Sequence, residues 1–145
     1  MSEHKAKVEW KRSGEFRYES YSRAHALDFE GIVVPGNAAP ANIPATIGPG
    51  KGVDPEQAFV AALSACHMLW FLHLACQKKW VVDSYVDEAV GTLDKTWVSK
   101  VILRPRVAFS GTIPSKTDVE ALHHRAHEAC FIANSVKTEV LIEPC

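Results

Sequence analysis

The first thirty residues alternate apolar and polar side chains with the period of two that a half-buried strand requires. "KVEWKR" and "EFRYESYS" flank Ser13-Gly14 and read as a hairpin, and "HALDFEG" alternates again before stopping at Gly31. There the pattern breaks. The stretch "IVVPGNAAPANIPATIGPGKGVD" carries prolines at 35, 40, 44 and 49 and glycines at 36, 48, 50 and 52. That composition excludes a regular element and predicts a long loop, either functional or mobile.

From Asp54 the period changes to that of a helix. Asp54 suits the N-cap, Pro55 the first helical position, and Glu56 the positive end of the helix dipole. The helix is predicted to run to about Lys78. Phe59, Val60, Leu63, Met68, Leu69, Trp70, Phe71 and Leu72 make it apolar nearly all round, the mark of a buried helix. In a chain this short, covering every side of such a helix asks for a second copy. "WVVDSYVDEAVGTLDK" and "TWVSKVILRPRVAFSGTI" then give two β-ribbons around Asp94-Lys95, with Pro105 marking an edge or a bulge. Thr117 and Glu120 form a capping-box pattern that opens a second helix, "DVEALHHRAHEACFI", and "SVKTEVLIEP" alternates as a closing strand. The order βββ–loop–α–ββ–α–β predicts a single α+β domain over residues 1–145.

Composition narrows the function classes. With 16 Lys and Arg against 17 Asp and Glu there is no basic block, so nucleic acid is not an expected partner. The polar start "MSEHKAKVEW" has no apolar signal core, and the run "MLWFLHLAC" is too short to span a bilayer. No membrane association is expected, and a cytoplasmic location follows. There Cys66, Cys76, Cys130 and Cys145 would be reduced at rest. A domain of this size buries roughly 70% of its unfolded surface and needs no disulfide or metal staple.

The chemical candidates are thiols and imidazoles. A cysteine within an apolar helix is ordinarily inert, because burial raises its pKa above ~8.5. Lowering that value to ~6 takes about 3.4 kcal/mol of preference for the thiolate. One nearby arginine supplies ~1–3 pKa units, so a reactive Cys66 needs an arginine. His67 is not its base: adjacent helical residues diverge by about 100°, which assigns His67 a packing or hydrogen-bonding role. His123, His127 and Cys130 share one helix face by spacing. Without a fourth ligand or a paired-cysteine motif no metal site is assigned, and the two histidines read as a solvent-edge cluster. Cys76 reads as core and Cys145 as a mobile end.

Two segments taken together, "GVDPEQAFVAALSACHMLWFLHLA" and "LHHRAHEACFIANSVKTEV", resemble the paired helices of the OsmC/organic hydroperoxide resistance family. The resemblance extends to the framing β-segments and covers the whole chain. It implies an OsmC-like α+β fold: a β-meander, a long buried central helix, two further strands, a second helix and a closing strand, in an intertwined homodimer. By position it makes Cys66 the peroxidatic cysteine, Cys130 the resolving cysteine, and Glu56 the residue that holds a catalytic arginine. Arg23 in "YSRAHAL" is the best match for that arginine, with Arg17 and Arg12 as alternatives, since residues 32–54 contain none. Phe131 stands where the family often has proline, and His67 where it commonly has an aromatic residue.

The implied activity is a thiol-dependent peroxidase that reduces organic hydroperoxides through a Cys66 sulfenate and a Cys66–Cys130 disulfide. Met68, Trp70 and Phe131 would line an apolar substrate pocket. No bound cofactor is expected; an external dithiol, for example a dihydrolipoyl group, would return the electrons. The competing reading is a non-catalytic cytosolic domain of the same fold that binds a small molecule or zinc, with Cys66 as a lining residue. Helix geometry adds one expectation. Ten residues of unbroken helix separate Glu56 from Cys66 by about 15 Å, so a single arginine serving both requires the glutamate of another subunit.

Overall fold

Alternation produces strands where the pattern predicts them in "KVEWKR" and "HALDFEG", but none in "EFRYESYS", and a third strand forms at the start of the Pro/Gly stretch that was expected to hold no regular element. The computed structural model describes residues 1–145, which divide into two units, residues 1–58 and residues 59–145. In the first unit β1 (Lys7–Glu9) pairs with β2 (His25–Phe29), and β2 with β3 (Ile32–Gly36), all antiparallel. The hairpin at Ser13-Gly14 does not form. Trp10, Phe16 and Tyr21 instead pack on one another, with ring centroids 5.0–6.2 Å apart, and the intervening chain turns where Ser20 and Tyr21 N–H donate to Arg17 O. The tight turn lies at Glu30-Gly31, both with positive φ (54° and 101°), and Asp28 Oδ1 accepts the Gly31 N–H at 2.7 Å.

Pro35 is tolerated inside β3 because that strand is at the sheet edge. The Pro/Gly loop beyond it is closed at the neck: Asn37 N–H donates to Val53 O at 3.1 Å, and Val53 N–H to Pro35 O at 2.8 Å. Within the loop, Pro40–Asn42 form a 3₁₀ turn and the Thr46 hydroxyl donates to Glu19 O at 2.7 Å. No hydrophobic residue of 1–58 larger than glycine is buried.

Helix α1 (Pro55–Gln77) starts as its cap predicts. Gln57 N–H donates to Asp54 Oδ1 at 2.8 Å, and Asp54 N–H to Gln57 Oε1 at 3.1 Å. Within one chain its burial is confined to a stripe of Leu63, His67, Phe71, Leu74 and Ala75, while Leu69 is 62% exposed. An 18-residue window of this 23-residue helix has a mean hydropathy of 1.7, enough by length and composition alone to cross a membrane. The short run singled out in the sequence underestimates it, because the alanine-rich first half also counts as apolar.

The second unit holds two small sheets. β4 (Val81–Asp87) pairs antiparallel with β7 (Pro105–Ser110); β6 (Trp97–Leu103) pairs antiparallel with β5 (Val90–Asp94) and parallel with β8 (Glu139–Ile142). Each predicted ribbon is therefore cut in two. Asp87 Oδ1 accepts the Arg104 N–H at 2.6 Å, so both breaks fall around one carboxylate. Pro105 opens β7, where a missing N–H is tolerated, and the ladder irregularities lie at Val82/Ser84 and Thr92/Leu93. Helix α2 (Lys116–Ala129) is capped two residues earlier than the Thr117/Glu120 pattern suggests. Ser115 Oγ accepts the Asp118 N–H, and Asp118 Oδ2 accepts the Ser115 N–H. Cys130 is its C-cap.

The core forms at both ends of α1. Leu63, with Phe59 and Val60, packs on Val101 and Leu103 of β6. Phe71, Leu74 and Ala75 pack on Leu122 and Ala126 of α2 and on the inner faces of β4 and β7. Each fully buried Leu or Phe contributes about 1.5–3 kcal/mol. A Cβ on Gly91 would stand 2.6 Å from Val60 Cγ2, so glycine is what lets the helix approach β5 this closely.

Candidate functional site

The buried stripe of α1 takes His67 into the core and turns Cys66, one residue earlier, onto a half-buried face. Cys130, 1% exposed at the end of α2, presents its sulfur to Cys66, and both thiols are free. Two cysteines 64 residues apart (130 − 66) are thus neighbours. Burial pushes the Cys130 thiol up to about 11. The Ala133 N–H, donated to its sulfur at 3.4 Å, acts in the opposite direction, and Cys66 pushes it further up.

His67 takes the packing and hydrogen-bonding role expected of it, but its partner His123 lies where the sequence reading did not place it. His123 is not at a solvent edge; it is 3% exposed, with its ring stacked on Phe71 at 4.3 Å and on His67 at 5.3 Å. His67 Nε2 and His123 Nδ1 share a hydrogen bond of 3.0 Å. Burial, then the charges of His123 and His127, lower His67 to about 3; burial, partly offset by Asp87, lowers His123 to about 4. Both rings are therefore neutral at physiological pH. His67 Nδ1, His123 Nε2 and His127 Nδ1 are buried without partners. The signal for the pair was present: His67 continues the Leu63–Phe71–Leu74 stripe, and His123 lies beside Leu122 on the face that buries Ala126.

Asp87, Ser64 and Tyr85 carried no such signal. Asp87 Oδ2 accepts the Ser64 hydroxyl at 2.5 Å, and its charge bears on His123 and Tyr85. The buried Tyr85 hydroxyl has no partner, and burial followed by Asp87 raises its pKa. No group of three or more His, Cys, Asp or Glu is arranged to hold a metal ion. Cys76 is exposed rather than core, because the stripe ends at Ala75 and the last turn of α1 faces outward. Cys145 is exposed as well, and its backbone is held by donation to Pro105 O at 3.0 Å.

Arg23 and Glu56 belong to residues 1–58. The Arg23 guanidinium donates to Tyr21 O at 2.6 Å and lies over the rings of Tyr21 (3.6 Å) and Tyr18 (5.1 Å). It lines a cavity of about 460 Å³ with Val8, Trp10, Phe16, Tyr21 and Pro55. Of the alternatives, Arg17 is exposed and paired with Glu15 at 3.3 Å, and Arg12 is exposed and donates to Gly14 O. Only Arg23 of the three is half-buried. Glu56 Oε2 is buried without a partner. The Trp70 and Phe131 rings meet edge to face at 5.4 Å; Trp70 also packs on the core, Phe131 is 67% exposed, and Met68 is half-buried.

A family profile described as OsmC-like protein matches residues 48–144. The chain is similar to a solved OsmC-like protein of unknown function from Vibrio cholerae, with 49% identity, a TM-score of 0.93 and all of both chains covered. At 22% identity and a TM-score of 0.66 it shares its fold with an organic hydroperoxide resistance protein from Legionella pneumophila, over 99% of this chain and 96% of that one. The organic hydroperoxide resistance protein OhrB of Bacillus subtilis gives 20% identity and a TM-score of 0.61 over 97% and 98%. No curated protein matches the chain.

Proposed function

The chain belongs to the OsmC-like family, and on that footing we propose that it is a cytoplasmic thiol-dependent peroxidase that reduces organic hydroperoxides to alcohols. The observation that carries this reading is the meeting of the Cys66 and Cys130 thiols. The names of the Legionella and Bacillus fold relatives support it. The Cys66 thiolate attacks the distal peroxide oxygen; the O–O bond breaks, the alkoxide takes a proton and leaves as alcohol, and Cys66 becomes a sulfenic acid. Cys130 displaces its hydroxyl as water and forms the disulfide. An external dithiol of the dihydrolipoyl class then restores both thiols by exchange. Met68, Trp70 and Phe131 supply apolar surface for the organic part of the substrate.

Arg23, held by Glu56, serves the Cys66 thiolate in this scheme, and the glutamate comes from a second subunit. Helix α1 runs unbroken from Pro55 to Gln77, and Glu56 Oε2 lacks a partner within the chain. Three large apolar side chains of 1–58, Val8, Ile32 and Val33, are each more than half exposed, and that unit buries none of its own, which supports a second copy as its cover. One equivalent of hydroperoxide should convert the protein to a Cys66–Cys130 disulfide, located by peptide mass mapping. Under excess oxidant, Cys130→Ser should instead accumulate sulfinic acid at Cys66, because nothing intercepts the sulfenate. Disulfides formed only between chains through Cys145 would overturn the scheme.

A further inference from the structure

We propose that the cavity within residues 1–58 is a binding site for apolar carboxylates, with Arg23 holding the carboxylate and an aromatic cup holding the body. The proposal goes beyond the peroxidase reading and meets it only at Arg23. The cup is made of three rings. Trp10 is inclined to Phe16 by 58° and to Tyr21 by 88°, and Phe16 to Tyr21 by 41°, so they enclose space rather than stack. The Trp10 indole N–H is taken by Ser22 O at 2.7 Å, which leaves the ring as apolar wall beside Val8.

The polar lining consists of Arg23, His25 and Asn37, and it contains no carboxylate. Strand pairing brings the three together, because His25 stands opposite Gly36, the residue before Asn37. His25 Nδ1 donates to Arg23 O at 2.7 Å and so steadies the backbone that carries the guanidinium. A Cβ on Gly36 would collide with the His25 ring, and one on Gly50 with the Asn37 amide, so two glycines seat this end of the cavity. Asn37 is 6% exposed. Its Oδ1 accepts the Ala38 N–H at 2.9 Å and its Nδ2 reaches Lys51 O at 3.4 Å, which leaves one amide N–H to give.

Charge decides the class of ligand. Aromatic cups of this kind commonly take cations, but here the Arg23 guanidinium already lies over Tyr21 at 3.6 Å. Arg23 is permanently charged, spends one N–H on Tyr21 O, and pairs with no carboxylate of the chain. A planar guanidinium with free N–H groups matches a carboxylate in two-point contact, and the rings reject an anion without an apolar body. The cavity of about 460 Å³ equals the share of about fifteen waters, room for an aryl or short acyl acid.

Calorimetric titration of the full-length protein with 4-phenylbutyrate, its neutral amide and 4-phenylbutylammonium tests this. The carboxylate should bind at least about tenfold more tightly than either analogue, and Arg23→Gln should weaken it about thirtyfold. Phe16→Ala should weaken the carboxylate and the amide alike. In the wild type, the Trp10 indole N–H resonance should move as the acid is added, a readout that needs no variant. Equal binding of acid and amide, unchanged affinity in Arg23→Gln, or no shift at Trp10 would each overturn the site. In the peroxidase scheme the same guanidinium serves the Cys66 thiolate, so the acid should also inhibit reduction of tert-butyl hydroperoxide competitively. Binding without inhibition would uphold the site and overturn instead the place of Arg23 in that scheme.

Discussion

Cys66 and His67 are consecutive residues with opposite surroundings, one facing a second thiol and the other a second imidazole. Cys66→Ser should abolish hydroperoxide reduction in a steady-state assay, while Cys76→Ser and Cys145→Ser, both at exposed sulfurs, should leave it nearly intact. The imidazoles set the acid limit of stability. In the unfolded chain they take protons below pH 6.5, whereas in the native state His123 waits until about 4 and His67 until about 3. Stability is therefore complete above pH 6.5 and declines as the pH falls towards those values, by at most about 1.4 kcal/mol per pH unit for each ring. Urea midpoints between pH 7 and 4.5 should fall in the wild type and vary less in His123→Phe. Cys130 acts at the other extreme: its raised pKa costs stability as the pH climbs from 9 towards about 11. The thiol pair was legible in the sequence only through the family resemblance, since no local rule joins positions so far apart. His67 was read correctly as a packing or hydrogen-bonding residue, whereas His123 was misplaced because its polarity was weighed above its position beside Leu122 on the buried face of α2.

Among the elements, α1 was legible almost to the residue, because Asp54, Pro55 and Glu56 signal its start locally and its apolar run is long. The cap of α2 was not. Thr117 and Glu120 satisfy the same pattern as Ser115 and Asp118, but it is Ser115 that has the extended backbone of an N-cap, while Thr117 is already helical. Ser115→Ala should cost about 1 kcal/mol in chemical denaturation, and Thr117→Ala much less. The early hairpin failed for a tertiary reason: aromatic clustering of Trp10, Phe16 and Tyr21 prevailed over alternation. Where helix meets sheet, Leu63→Ala should cost about 2–5 kcal/mol, since the side chain is fully buried against Val101 and Leu103. Gly91→Val should be comparably damaging, because it drives a side chain into Val60. Thermal unfolding of both variants measures this.

At the scale of the whole molecule, the excess hydrophobicity read in the sequence is present in the structure: α1 is apolar on more faces than its own chain buries, and residues 1–58 bury no large apolar side chain, which is the ground for the proposed second chain. Composite sites predict complementation. Cys66→Ser and Glu56→Ala, each inactive alone, should regain one working site and measurable turnover when co-expressed as a heterodimer; a purified heterodimer as dead as its parents defeats the arrangement. The placement of Cys66 on α1 and Cys130 at the end of α2 also alters the unfolded chain. Joining them would tie off the sixty-odd residues between, the second half of α1, β4 to β7 and all of α2, and remove loop entropy worth about 4 kcal/mol from the denatured ensemble. The oxidant would thereby harden the protein that consumes it, and each reduction by the dithiol would return the fold to its softer form. Melting temperature would then report the redox state of the cell's thiol pool, rising as the hydroperoxide load outruns its reductant.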